Sequence, residues 1–216
     1  DHSKAGLEAI DTGIGGISLE RPEQLDAIAK AMEVGRFIEI IGESGTGKSA
    51  LLKAMAMEQN TEARPFFLSS GRIPQGGWLA LSMQLGFENS AGEFLYDIAA
   101  SGCTSLCIDG VDRITDAGER ETIKDLLIAC GEVPVMRVVV TAGAEFVGDQ
   151  REWLPQAALS ALGTASVSLG PLSDTEAGEL ASADPRLAQL IHSPEAGPLT
   201  RNLYQLRQLL SRADPG

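Results

Sequence analysis

The chain has 216 residues, enough for one large domain or for a core with a small appendage. A net charge of −13 and the lack of a basic stripe argue against direct nucleic-acid contact by this segment. No apolar run approaches the roughly 18 residues that span a bilayer, so we expect no membrane contact. The three cysteines, Cys103, Cys107 and Cys130, lack metal-ligand spacing, so we expect reduced thiols and a cytoplasmic location.

Apolar patterns predict strands that alternate with helices over most of the chain. The first sixteen residues are rich in glycine and are predicted to form an extended lead-in, followed by a helix over 22–33. Strands are predicted over 37–41, 65–69, 105–109, 135–141 and 166–169. Helices are predicted over 48–59, 78–85, 93–100, 116–129 and 153–162.

The alternation stops at Gly170 and Pro171, and only helical patterns follow, over 174–183, 185–191 and 200–212. Strands that alternate with helices favour a parallel sheet with helices on both faces. We therefore predict an α/β fold with a five-stranded, mainly parallel sheet flanked by helices, and a small C-terminal helical lid. The predicted core, including the lead-in, covers 1–170, and the predicted lid covers 171–216.

A glycine-rich segment between the first predicted strand and the next helix matches the pattern G-x-x-x-x-G-K-[ST] of the P-loop NTPases. Its backbone N–H groups and the positive end of the following helix suit phosphate groups. We expect Lys48 to bridge the β- and γ-phosphates and Ser49 to bind Mg²⁺. The predicted contacts of ATP or ADP are Gly42, Glu43, Ser44, Gly45, Thr46, Gly47, Lys48, Ser49 and Ala50.

Polar residues at the ends of two later strands are the candidates for metal binding and catalysis. Asp109 ends an apolar strand and is predicted to hold Mg²⁺ together with Ser49. Asp112 either positions the attacking water or has a structural role, as a cap or as a partner of Arg113. Thr141 ends the next strand, where it either senses the γ-phosphate or simply ends the strand.

Several arginines are candidates for phosphate contacts. Arg201 begins the last predicted helix, where it either reaches the phosphates from the lid or remains solvated. Arg113, Arg120 and Arg137 are each a candidate for an arginine finger directed at a neighbouring subunit, and nothing in the sequence separates them.

These motifs together resemble the STAND branch of the P-loop NTPases, which includes NACHT and NB-ARC domains and is related to AAA+ proteins. The resemblance covers about residues 17–212 and depends on the P-loop, the strand before the Asp109 strand, the segment Asp-Gly-Val-Asp at 109–112 and the helical tail. Ordinary AAA+ proteins usually have Glu directly after the Asp, where this chain has Gly110. Many relatives also have an arginine just after the fourth strand, which this chain lacks.

The resemblance extends to two elements near the adenine. Arg21, followed four residues later by Leu25, is similar to an Arg-x-x-x-Leu element that lies near the base in these families. Pro198 is similar to the proline of a Gly-x-Pro element that packs on adenine, although the spacing here is one residue shorter. The segment 169–173 is similar to the connection into the lid.

The resemblance implies a regulatory switch that hydrolyses ATP slowly. It implies that ADP holds the lid closed, that ATP allows self-association through this domain, and that effector and sensor domains lie in the same longer chain, in bacteria often for defence. A start at Asp1 without methionine agrees with that expectation. The alternatives are an actively hydrolysing AAA+ ATPase of the ring-forming or replication-initiator kind, and a P-loop kinase, which the strand pattern disfavours.

Overall fold

The computed structural model describes residues 7–8, 10, 13–58 and 65–213, except the side chains of Glu58, Pro198 and Ala213. No helix in this part of the chain is long and apolar enough to cross a membrane. Two short 3-10 helices, Val111–Arg113 and Gly148–Arg151, lie between the longer elements. The strands are β1 (Gly13–Ile14), β2 (Ile17–Ser18), β3 (Phe37–Gly42), β4 (Phe66–Ser69), β5 (Ser105–Asp109), β6 (Arg137–Gly143) and β7 (Thr164–Ser168).

The helices fall into two groups along the chain. Those that accompany the large sheet are α1 (Pro22–Val34), α2 (Lys48–Glu58), α3 (Gly77–Leu85), α4 (Ala91–Ala100), α5 (Ala117–Glu132) and α6 (Gln156–Leu162). Those after the last strand are α7 (Asp174–Ala183), α8 (Pro185–Ile191), α9 (Gly197–Thr200) and α10 (Leu203–Ala213). We refer to α7–α10 as the lid.

The five long strands form one sheet in the order β4-β5-β6-β3-β7, and every neighbouring pair is parallel. Strand β6 separates the strand that leads into the glycine-rich loop, β3, from the strand that ends at Asp109, β5. The predicted α/β fold, with a five-stranded sheet flanked by helices and a C-terminal helical lid, is confirmed.

The strands are apolar on both sides because helices cover both faces of the sheet. Phe37 belongs to the large cluster that α5 and α6 complete, whereas its neighbour Ile38 belongs to a second cluster with residues of α2. Glu39 is the exception to this apolar pattern in β3, because its charged side chain is buried and only 1% exposed. Arg151 pairs with it at 3.1 Å and the hydroxyl of Ser166 donates to it at 3.3 Å. Burial nevertheless raises the pKa of the Glu39 carboxyl, against the opposing effect of Arg151.

The lead-in differs from the extended segment that the sequence predicts, because β1 and β2 form an antiparallel hairpin. Gly15 and Gly16 make its turn with φ of +59° and +84°, as a two-residue hairpin of the I′ type requires. The hairpin residue Ile14 packs in a third apolar cluster that is otherwise built from the lid and its connection, with Leu172, Leu180, Leu187, Leu206 and Leu210. The hairpin therefore shares a core with the lid, whereas Leu7 and Ile10, earlier in the lead-in, pack with the sheet.

The last predicted helix also differs, because the chain breaks it into α9 and α10. The break lies at Asn202, whose Oδ1 accepts hydrogen bonds from the backbone N–H groups of Tyr204 (3.1 Å) and Gln205 (3.2 Å). An Asn that satisfies the first N–H groups of a helix is a strong N-cap. The apolar period continues across this break, so periodicity alone does not reveal it.

Substitution Leu206→Ala tests whether the hairpin and lid share one core. Leu206 is fully buried, so we expect the hairpin and lid to lose about 2–5 kcal/mol of stability. In hydrogen–deuterium exchange, residues 13–18 and 174–213 exchange faster while 137–143 remain protected. The matched control Leu127→Ala, in the large cluster beside the sheet, produces the opposite pattern. Uniform acceleration by Leu206→Ala would contradict a shared local core.

Candidate functional site

The glycine-rich loop between β3 and α2 is shaped by two glycines with positive φ, Gly45 at +83° and Gly47 at +94°. Such values are unfavourable for residues with a side chain. Space is also restricted, because a Cβ at Gly47 would lie 2.6 Å from Leu203 Cδ1, and one at Gly45 would collide with the amide of Asn202. Glycine is therefore required here both by the turn and by the close approach of the lid.

Lys48, the first residue of α2, extends back along the loop. Its Nζ donates to the carbonyl oxygens of Gly42 (2.7 Å) and Glu43 (2.8 Å). Burial lowers the pKa of Lys48, and nearby carboxylates, of which Asp112 is the strongest, oppose that effect. The hydroxyl of Thr46 donates to the Glu43 carbonyl at 2.9 Å and holds the turn closed.

The carboxylate of Asp109 connects three elements of the site. Its Oδ1 accepts from Ser49 Oγ on α2 at 2.7 Å and from Thr141 Oγ1 on β6 at 2.6 Å. Thr141 Oγ1 in turn accepts from the Gly110 N–H at 2.8 Å. Asp109 is 6% exposed and Thr141 is 1% exposed, so these are buried, charge-assisted contacts of the stronger kind.

The donor set around Asp109 fits a small hard cation. A hydroxyl and a carboxylate oxygen, from Ser49 and Asp109, are the protein ligands that Mg²⁺ takes when phosphate and water oxygens complete its shell. Among the described residues, no group of three or more His, Cys, Asp or Glu could hold a metal without such outside ligands. The arrangement thus suits a metal that arrives with a phosphate compound.

A cavity of about 900 Å³ opens above the glycine-rich loop, within the size range of small-molecule sites. Its lining includes the loop and the strand ends, with Lys48, Ser49, Asp112, Thr141 and Glu145. The hairpin, α2 and the lid provide a further part of the lining. That part consists of Ile14, Ser18, Leu19, Lys53, Ala54, Met57, Leu203, Tyr204 and Arg207.

Comparison with known proteins identifies the architecture. No protein-family model and no curated protein matches the chain. Among solved structures, the Walker-type ATPase PABY2304 of Pyrococcus abyssi is similar over 95% of this chain and 71% of that one, with 16% identity and a TM-score of 0.63. Domain III of the replication initiation protein DnaA of Thermotoga maritima is similar over 88% and 82%, with 19% identity and a TM-score of 0.54.

AMPPCP-bound DnaA of Aquifex aeolicus is similar over 97% of this chain and 64% of that one, with 18% identity and a TM-score of 0.57. The chain has a P-loop NTPase fold. The glycine-rich loop is its P-loop, and Asp109 ends the strand that lies two positions from the P-loop strand in the sheet.

The lid of this P-loop NTPase fold rests directly on the P-loop. Asn202 Nδ2 donates to the Ser44 carbonyl at 2.7 Å, and the Tyr204 N–H lies 3.3 Å from the Gly45 carbonyl. Both contacts use backbone carbonyl groups of the loop rather than its N–H groups.

Arg21 makes a second connection between the P-loop and the lid. Its side chain is 5% exposed, and Nη1 donates to the Thr46 carbonyl at 2.8 Å. Nε pairs with Glu176 Oε1 on α7 at 2.8 Å. The other oxygen of Glu176 accepts from the Ser173 N–H at 2.7 Å and closes the capping box of α7. Arg21 also lines the cavity. Its predicted place near the base stays a prediction.

Other residues of the predicted site lie as follows. Ala50 lines the cavity beside the P-loop. Asp112 lies against the end of β6, with Oδ2 3.0 Å from the point where a Cβ on Gly143 would be. Arg201 pairs with Asp174 and donates to the Leu172 carbonyl at 3.2 Å, so in this conformation it holds the lid to its own connection. Its predicted phosphate contact stays a prediction.

The side chain of Pro198 lies outside what the structure describes, so its predicted adenine contact also stays a prediction. Sequence reasoning missed Asn202 and Glu145, among others. Asn is a residue type that favours a helix N-cap, which indicates a helix start at Asn202 but not its contact with the P-loop, and Glu145 follows the end of β6 by two residues but belongs to no motif. The hairpin side of the cavity had no comparable motif.

Substitution Thr141→Val tests the contribution of the hydroxyl beside Asp109. Val keeps the shape and β-branching but leaves the Gly110 N–H and one acceptor position of Asp109 without a partner. We expect a loss of about 1–3 kcal/mol in the free energy of unfolding, measured by urea denaturation. Thr141→Ser, which keeps the hydroxyl, and Thr164→Val on the exposed edge strand change stability less. Equal stability of Thr141→Val and wild type would contradict the proposed bonding.

Proposed function

We propose that this domain binds ATP or ADP with Mg²⁺ and acts as a nucleotide-controlled switch of the STAND type, with slow hydrolysis. The proposal is carried by one observation: Ser49 Oγ lies 2.7 Å from Asp109 Oδ1 beside the P-loop, and both Ser49 and Lys48 line the cavity of about 900 Å³. Similar solved structures include a DnaA with bound AMPPCP and the Aeropyrum pernix ORC2 protein in ADPNP–ADP complexes. They support an adenine nucleotide as the ligand.

The residues of the chain would divide the work as follows. The P-loop N–H groups and the start of α2 bind the phosphates, and Lys48 neutralises the β- and γ-phosphates. Ser49 and Asp109 hold Mg²⁺, which supplies charge neutralisation at the phosphate oxygens. Thr141 orients the Asp109 carboxylate through its 2.6 Å hydrogen bond.

Slow hydrolysis is supported by the groups beside Asp109. Gly110 provides no side chain where ordinary AAA+ proteins usually have a glutamate. Asp112 and Glu145 line the cavity and are the remaining acids for positioning water. The Thr141 hydroxyl is engaged by Asp109 and Gly110, which favours a positioning role over direct contact with the γ-phosphate.

The switch is supported by contacts between the lid and the P-loop. Asn202 and Tyr204 reach the backbone of residues that would bind phosphate, so a change in the loop is transmitted to α10. A ligand shifts such an equilibrium by its difference in affinity for the two lid positions. We further propose self-association through this domain, effector and sensor domains in the same longer chain, and a cytoplasmic location.

An actively hydrolysing AAA+ ATPase is the second candidate. It is favoured by the similarity to the Walker-type ATPase PABY2304, to the DnaA initiators and to the FIGL-1 AAA domain in complex with ADP, which has a TM-score of 0.56 and 15% identity. This candidate differs from the switch in turnover rate and in its need for a ring of subunits.

The first test is to denature the purified chain, identify any released nucleotide, and measure ATP turnover. Retained ADP with negligible turnover supports the switch, whereas steady turnover supports the active ATPase. Lys48→Ala removes the phosphate-bridging charge and is expected to weaken ATP binding at least tenfold, by the ordinary strength of charge-assisted bonds. Lys30→Ala, which removes a lysine from the exposed face of α1, leaves binding unchanged. If Lys48→Ala binds ATP as tightly as wild type, the nucleotide proposal is wrong.

A second test addresses the hold of the lid on the P-loop. Asn202→Ser keeps a side-chain oxygen that caps α10 but removes the Nδ2 donor to Ser44. We expect release of a fluorescent ADP analogue to be about threefold to tenfold faster, since a hydrogen bond contributes about 0.5–1.5 kcal/mol. Asn89→Ser, at an exposed position outside the lining of the cavity, is the control. An unchanged release rate would argue against coupling through Asn202.

A further inference from the structure

The three candidate finger arginines differ in their surroundings. Arg137 begins β6 at the amino end of the sheet and is exposed. Arg120 lies with its guanidinium 5.2 Å from the ring centroid of Trp153 and donates from Nε to the Ile114 carbonyl at 2.9 Å. Arg113 lines the same cavity as Lys48. Of the three, Arg113 is the one that its own chain brings to the phosphate end of the site.

Gly110 explains how Arg113 reaches this position. Its φ of +75° turns the chain into the 3-10 helix Val111–Arg113 immediately after β5. The Arg113 guanidinium then folds back over Gly110, so closely that a Cβ there would collide with Nε and Nη2. Glycine is favoured at this position by the positive φ, and its lack of a side chain leaves the space above it to the guanidinium.

The contact between Arg113 and Asp109 is loose. Arg113 Nη2 lies 3.5 Å from Asp109 Oδ2, and the Arg113 side chain is 61% exposed. An ion pair with that exposure contributes little to stability. The tight bonds of Asp109, from Ser49 and Thr141, use its other oxygen. The guanidinium thus lies beside the carboxylate that we propose to bind Mg²⁺ but forms no tight hydrogen bond with it.

We propose that Arg113 binds the terminal phosphate of ATP in cis, opposite Lys48, and so distinguishes ATP from ADP at this site. The inference rests on the proposed nucleotide-binding function. A planar guanidinium suits phosphate oxygens because it donates two parallel hydrogen bonds. Arg113 and Lys48 both line the cavity, so the two cations border the same space.

A purely structural role for Arg113 makes a different prediction. If the guanidinium only accompanies Asp109, its removal affects ATP and ADP alike, because Asp109 is shared by both complexes. If it contacts the terminal phosphate, its removal affects the triphosphate selectively. The difference between the two affinities therefore separates a phosphate ligand from an ion-pair partner.

The experiment measures affinity of the nucleotide-stripped protein for AMPPCP and for ADP, each with Mg²⁺, by calorimetry. We expect Arg113→Ala to weaken AMPPCP about tenfold and ADP less than about twofold, on the usual strength of a charge-assisted bond. Arg113→Lys keeps the charge and recovers part of the loss. Arg137→Ala, the same charge change at the other end of the sheet, alters neither. Equal changes for both nucleotides, or none, overturn the proposal.

A mixing experiment separates cis from trans. Arg113→Ala protein has an intact P-loop, and Lys48→Ala protein has an intact Arg113. If Arg113 acts in cis, adding Lys48→Ala protein does not restore AMPPCP affinity to Arg113→Ala protein, and wild-type affinity is independent of protein concentration. Restoration on mixing would overturn the cis assignment.

These results also separate the inference from the function on which it rests. Wild type that binds neither nucleotide overturns both proposals. Wild type that binds both, with an Arg113→Ala variant indistinguishable from it, overturns only the role of Arg113. Because Arg113 is largely exposed, the variant is expected to keep its fold, which far-ultraviolet circular dichroism verifies.

Discussion

The buried carboxylate of Asp109 is the constraint on which the site depends. A charge in this environment is tolerated only with good partners, and Ser49 and Thr141 provide them from α2 and β6. Those partners meet Asp109 because β6 is inserted between β3 and β5, so that three carboxyl strand ends lie side by side. One carboxylate oxygen of Asp109 therefore links the start of α2 and the end of β6 to the end of β5.

Much of this arrangement was accessible from the sequence because it is local or periodic. Apolar runs identify β3, β5 and β6, and the P-loop pattern fixes which residues turn between β3 and α2. The meeting of Ser49 with Asp109 follows from parallel strands, whose carboxyl ends share one edge of the sheet. Thr141 was identified for the same reason, but its bond to the carboxylate depends on a rotamer that no pattern records.

The contacts between the lid and the P-loop were not accessible in this way. Asn202 and Ser44 are 158 residues apart, and their bond depends on how two separately formed bodies meet. The same holds for Arg21 and Glu176: the sequence indicated Arg21 through its resemblance to an element near the base, but not its buried contact with Glu176. Arg201, which the sequence offered either as a phosphate contact from the lid or as a solvated residue, pairs with Asp174 in this structure. Periodicity describes faces of elements, not the donors and acceptors that meet between them.

The shared core of the hairpin and lid has a mechanical consequence. Among the described residues, the chain passes between that body and the sheet three times: between Ile10 and Ile14, after Leu19, and between Leu169 and Leu172. Three covalent connections restrict how the body can move relative to the sheet. The hairpin and the lid share one apolar core, so a displacement of the lid carries the hairpin with it. Arg21 lies on the second of these connections and contacts the P-loop at Thr46, so such a displacement also acts on the nucleotide loop.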